Sequence, residues 1–249
     1  MRYFITFAYN GTSFHGSQTQ PNGVSVQQTL EQALATIMRH PVPVTFAGRT
    51  DAGVHAEQMM AHVDSDEPRI AEVEFVKRLN SLLPATIAVQ SIVPVREDAH
   101  ARFSACARTY TYRVTGAKDP FRQSLVTRVP EGLDYEAMNE GAKWLLGKHD
   151  FASFCKVHTD VKTTLCDVKQ AYWTVLSPTQ AEFVITADRF LRNMVRAVVG
   201  TLLEVGRHKM PPEAIGEVLA QRNRCAAGQS VPAEGLYLTK VEYPSEIFI

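Results

Sequence analysis

Residues 42–63, VPVTFAGRTDAGVHAEQMMAHV, read as two strands joined by a loop too long for a hairpin turn. Val42, Val44 and Phe46 lead in over a strand at 42–47, and Met59, Met60, Ala61 and Val63 lead out over a strand at about 57–63. Tight connections between paired strands take two to five residues. This connector is longer and keeps Arg49 and Asp51 between Gly48 and Gly53. A loop that holds a carboxylate in a fixed pose beside a ligand has this pattern. An Arg–Asp pair that staples a surface loop has it too.

Working outward, each strand of this pair has a helix beyond it and then another strand. Upstream, RYFITFAY (2–9) reads as a strand that stops at Asn10-Gly11. Ser25 with Gln28 forms a capping box, Val26, Leu30, Ala33, Leu34 and Ile37 follow at helical spacing, and Pro41 closes the element. Downstream, Val73, Val76, Leu79 and Leu83 form a second stripe stopped by Pro84, and 86–93 is a strand. The order is β-α-β-β-α-β. It recurs after residue 104: a strand at 105–115; a helix capped by Asp134 that carries Tyr135, Met138, Ala142 and Leu145 and stops at Gly147; and strands at about 163–176 and 179–187. A helix from Phe190 to Gly206, a short helix behind Pro211-Pro212 and a last strand at 236–243 complete it. The expected fold is α+β: two ferredoxin-like halves, 1–104 and 105–249, joined into one mostly antiparallel sheet with helices on one face. The other face would floor a cleft for a large substrate.

The 249 residues carry no net charge, and the basic residues are clustered. Arg102, Arg108, Arg113, Lys118, Arg122 and Arg128 form one group, and Arg189, Arg192, Arg196, Arg207 and Lys209 another. Acid collects at Asp64, Asp66, Glu67, Glu72 and Glu74. Such groups are either solvated faces or contacts for a polyanion. The four cysteines show no paired Cys-x-x-Cys spacing, and no apolar run reaches membrane-spanning length; a cytoplasmic protein without disulfides or signal peptide is expected. His149, Cys155, His158 and Cys166 are spaced more loosely than structural zinc ligands, so no metal is expected.

The run GRTDAGVHA (48–56) resembles the signature of the tRNA pseudouridine synthase A (TruA) family, and the resemblance implies that Asp51 is the catalytic carboxylate. Arg108, Tyr110 and Tyr112 share one face of their strand, which fits either aromatic core packing or a surface on which a base stacks. The family's Arg-x-Tyr-x-Tyr pattern implies the second for Tyr110, its ring lying against the target uracil. Arg189, Arg192 and Arg196 fall on one side of a helix running from 190. The block from Phe190 to Arg196, followed by 199–206, is similar to another family block and implies that Arg196 pairs with the carboxylate. Further matches are Tyr9-x-Gly11-x-x-Phe14-x-Gly16, Phe103-Ser104-Ala105, Asp150-Phe151-x-x-Phe154 and Glu234-Gly235-Leu236-Tyr237-Leu238. Arg49, Arg108, Arg192, Tyr110 and Leu238 are the implied substrate-binding residues, Arg49 supporting a nucleotide turned out of its stack. Departures are Ser17, where the family commonly has an aromatic, Cys166 in place of an arginine and Gln229 in place of a proline.

The resemblance implies an enzyme that isomerises uridine to pseudouridine at positions 38, 39 and 40 of the tRNA anticodon stem-loop. It implies tRNA as partner, a homodimer, and no membrane, metal, nucleotide or other cofactor. Neither a Walker loop nor a dinucleotide fingerprint is present. Two other readings use the same residues: an RNA-binding module without catalysis, and a hydrolase pairing Asp51 with His55 or His62.

Overall fold

Arg2–Tyr9 (β1) is the inner strand of its sheet, and Phe4, Ile5 and Phe7 along it are wholly buried. After it come α1 (Val26–Met38), β2 (Thr45–Phe46), β3 (His55–Asp64), α2 (Val73–Leu82) and β4 (Ile87–Val95). The second stretch holds β5 (Ala107–Thr115), β6 (Thr127–Arg128), α3 (Tyr135–Lys143), β7 (Gly147–Asp150), β8 (Leu165–Ser177) and β9 (Gln180–Ala187). α4 (Met194–Gly206), α5 (Ala214–Gln221) and β10 (Leu236–Glu242) follow. The computed structural model describes residues 1–21, 23–156 and 162–249. They divide into two units, Met1–Cys106 with Tyr237–Ile249, and Ala107–Leu236.

In the first unit β1 lies antiparallel between β4 and β3. β2 runs antiparallel to β3, and β10 pairs with β3 in parallel through Tyr237–His55 and Leu238–Ala56. A cross-strand ion pair marks the far end of the β1–β3 ladder: Arg2 grips Asp64 through two bonds of 2.8 and 2.7 Å. The Ser25 hydroxyl accepts the Gln28 N–H at 3.1 Å, as the capping signal predicts. The expected strand at 42–47 shrinks to Thr45–Phe46. Pro41 and Pro43 have no N–H for a ladder, and the N–H and C=O of Val44 bond instead to Glu31 and the Gln27 amide of α1, at 3.0 and 3.1 Å.

In the second unit the path is β5-β9-β8-β7, all antiparallel, with β6 added in parallel to β5. Tyr112, Trp173 and Phe183 build the core against Met138 of α3 and the almost wholly buried α4. The first half follows the expected β-α-β-β-α-β order; in the second, two short strands that were not expected, β6 and β7, interrupt it, and the class is α+β. The expected boundary kept 236–243 with the second half; here Tyr237 onward groups with the first unit, because β10 takes its parallel ladder from β3.

Both units use one device at a strand edge. The Asn80 amide of α2 bonds both the N–H and the C=O of Val89 in β4, each at 2.8 Å. The Asn139 amide of α3 does the same to Trp173 in β8, at 2.7 and 3.1 Å. A side-chain amide thereby stands in for a further strand.

Candidate active site

Asp51 sits half-buried in the loop between β2 and β3, and the residues on either side of it are tightly held. Thr50 is 3% exposed; its hydroxyl meets the Tyr9 hydroxyl at 2.8 Å, and its N–H donates to Ser17 Oγ at 2.8 Å. On the other side Val54 N–H donates to the Asp51 carbonyl at 3.2 Å, closing one turn. The neighbouring loop presses directly on that turn: a Cβ on Gly11 would lie 2.0 Å from the Val54 oxygen, so only glycine fits there. Gly11 N–H donates to His55 Nδ1 at 3.1 Å, and the His55 ring stacks on Tyr237 at 4.6 Å. The Tyr9–Gly16 block and the GRTDAGVHA block are therefore two halves of one small structure. Arg49 by contrast is exposed, reaching Gln20 Oε1 at 3.3 Å, while the Gln20 amide donates to the His15 carbonyl.

His55 and His62 do not have the environment a hydrolase needs. Both are buried, and Nδ1 of each accepts a backbone N–H, from Gly11 and Ala101. Burial, then the nearby Arg2 and His100, push His62 down to about 4, so it is neutral near pH 7.

In the second unit the period-two pattern on β5 separates into different environments. Tyr112 is wholly buried; its hydroxyl donates to the Pro232 carbonyl at 2.9 Å and meets Thr127 Oγ1 at 2.6 Å, and burial raises its pKa. It is a core residue. Tyr110 is half-buried and meets Phe190 edge-on, centroids 5.0 Å apart. Arg108, also half-buried, donates to the Asp188 carbonyl at 2.9 Å.

The expected helix from 190 begins only at Met194, because Asn193 is left-handed (φ 67°). Arg189 and exposed Arg192 precede it, so the expected one-sided arginine stripe does not form; Arg196 alone lies on the helix. Arg196 is gripped by the segment that follows Gln229. Its Nε donates to the Val231 carbonyl at 2.7 Å, and Val231 N–H donates back to the Arg196 carbonyl at 3.1 Å. The same segment lies on α4 at Gly200, where a Cβ would fall 1.8 Å from the Gln229 oxygen. The signal for this contact was a glycine inside an otherwise apolar helix.

Other expected residues have structural surroundings. Leu238 is 2% exposed beside Ala56, and Phe151 and Phe154 are core. Arg113 faces Glu182 at 4.0 Å, and Arg207 and Lys209 both pair with Glu204 at 2.7 and 3.2 Å, so part of each basic group is neutralised within the fold. Cys166 is buried, its thiol pushed up to about 12 by burial and the nearby Asp188. His158 lies outside the described residues. Among those described, no three His, Cys, Asp or Glu side chains are grouped to hold a metal ion, and no helix is long and apolar enough to cross a membrane.

Residues 5–104 and 142–244 match the sequence profile of the family described as tRNA pseudouridine synthase. Over 247 residues the chain is 55% identical to "tRNA pseudouridine synthase A" of Parabacteroides distasonis, covering 99% of this chain and 98% of that one. The protein of that name from Bacteroides thetaiotaomicron is 53% identical over 249 residues, at 99% and 92% coverage. The one from Bacillus licheniformis is 39% identical over 247 residues, at 98% and 99%. Likeness of this extent runs through both units and through the loop around Asp51, and on it the chain belongs to the tRNA pseudouridine synthase A family.

Proposed function

We propose that this protein isomerises uridine to pseudouridine at positions 38, 39 and 40 of the tRNA anticodon stem-loop, with Asp51 starting the reaction. The observation that carries this is a GRTDAGVHA loop anchored on both sides of its aspartate, in a chain 55% identical along its length to a protein named tRNA pseudouridine synthase A. The reaction breaks the bond from the sugar C1′ to uracil N1, forms one from C1′ to C5, and releases the C5 hydrogen as a proton while N1 takes one up. Product and substrate are isomers, so neither an oxidant nor an energy source is needed. A carboxylate can start it by attack as a nucleophile or by taking a proton from the sugar. Arg196 has the role of orienting that carboxylate; its own guanidinium is held through Nε by Val231. Tyr110, buttressed edge-on by Phe190, holds the uracil ring, and Arg108, Arg192 and exposed Arg49 serve the surrounding nucleotide. Buried His55 and His62 argue against the hydrolase reading.

Incubation with an unmodified tRNA transcript, followed by pseudouridine mapping, tests this: product at positions 38, 39 and 40 is expected. Binding without product would favour the non-catalytic RNA-binding reading. The resemblance further supports a homodimer working in the cytoplasm. Light scattering is expected to give twice the 27.7 kDa chain mass, and a monomer at working concentration would remove that part.

A further inference from the structure

We infer that Ser17, together with Tyr9, is a positioning residue for the Asp51 carboxylate, acting through Thr50. This rests on the reading of Asp51 as the catalytic group. Three hydrogen bonds converge on the residue just before it. Ser17 Oγ accepts the Thr50 N–H at 2.8 Å, Ser17 N–H donates to the Thr50 carbonyl at 3.2 Å, and the Tyr9 hydroxyl meets Thr50 Oγ1 at 2.8 Å. Ser17, Thr50 and Tyr9 are 0%, 3% and 4% exposed, so water does not compete for these bonds. The clamp is rooted in regular structure. Tyr9 ends β1, Gln27 N–H in the first turn of α1 donates to the Ser17 carbonyl at 2.9 Å, and Val26 N–H donates to that of Gly16 at 3.3 Å. The turn from Asp51 to Val54 secures the other side. With both flanking peptides fixed, the carboxylate moves only about its own side-chain torsions.

Ser17→Ala leaves the buried Thr50 N–H without its acceptor and frees the Arg49–Thr50 peptide to turn, which shifts Thr50 and with it the start of Asp51. A reacting group displaced by about 1 Å loses on the order of 100-fold in rate. The expected result is therefore a kcat for pseudouridine formation lowered by ~10–100-fold with KM for tRNA within about twofold, the mark of an interaction that matters in the transition state. A pair of variants at one site separates positioning from packing. Thr50→Val keeps the shape and loses the hydroxyl, whereas Thr50→Ser keeps the hydroxyl and loses a methyl.

Positioning predicts that Val reproduces the kcat loss and Ser recovers kcat to within about threefold of wild type. Wild-type kcat in both Ser17→Ala and Thr50→Val, with Asp51→Asn inactive, would overturn the positioning role alone. Equal losses of kcat and thermal stability in Thr50→Val and Thr50→Ser would overturn it in favour of packing. An active Asp51→Asn enzyme would instead remove the reading of Asp51 on which it rests.

Discussion

At Tyr110 and Tyr112 one alternating pattern yields a half-buried ring against Phe190 and a wholly buried hydroxyl bonded to Pro232 and Thr127. Period two shows which side chains share a face, but depth along that face depends on what the rest of the chain lays over it. The Asp51 loop was legible because its glycines and charges are local. The clamp beneath it was not, because Ser17 and Thr50 are 33 positions apart and a lone serine carries no pairing signal. His62 supplies a prediction at this scale. Its folded value of about 4 lies below the ordinary value near 6.5, so the unfolded chain binds the proton first. Stability is full above about pH 6.5, falls as pH drops toward about 4, and below that loses no more from this group. At about 1.4 kcal/mol per pH unit the loss across the window is at most about 3 kcal/mol, and solvent screening of the partly covered ring brings it to the order of 2 kcal/mol. His62→Asn keeps an acceptor for the Ala101 N–H and removes the titration. Urea midpoints measured across this window are expected to slope less in the variant; parallel curves would refute the assignment.

Among the elements, the α1 stripe and the helix caps were legible, whereas the expected α2 stripe was not the buried face, since Val73 is 71% exposed and Phe75 with Leu79 is buried, and short edges were not legible. Ser25 caps α1 and Asp134 caps α3, the latter accepting the Ala137 N–H at 2.9 Å, because capping is a contact within one turn. β6 and β7 are too short to carry a pattern, and the start of α4 depends on the left-handed Asn193, which the apolar spacing of the helix does not encode. The asparagine plugs also passed unread, since Asn80 and Asn139 look like ordinary polar positions on amphipathic helices. Asn139→Ala removes both partners of the Trp173 backbone, with an expected cost of about 1–3 kcal/mol, and Asn139→Asp, which keeps the acceptor but sets an anionic oxygen against the Trp173 carbonyl, is expected to cost at least as much. Urea unfolding at constant m checks both, and an Ala variant as stable as wild type would deny the plug its role.

For the molecule as a whole, the long strands and helices of both halves were readable because each depends on local periodicity, whereas the attachment of Tyr237–Ile249 to the first unit depends on which strand offers β10 a ladder. Charge behaves similarly: the totals were visible, but the pairing of Arg207 and Lys209 with Glu204 needed the fold. The proposed reaction depends on one carboxylate, and tritium release from tRNA labelled at uridine C5 reads that carboxylate directly, since the C5 hydrogen leaves only when the new carbon bond forms. Asp51→Asn is expected to release no tritium above background while binding tRNA within about threefold of wild type, the side chain being nearly the same size and acting only after binding. Tritium release by the variant at the wild-type rate would contradict the account.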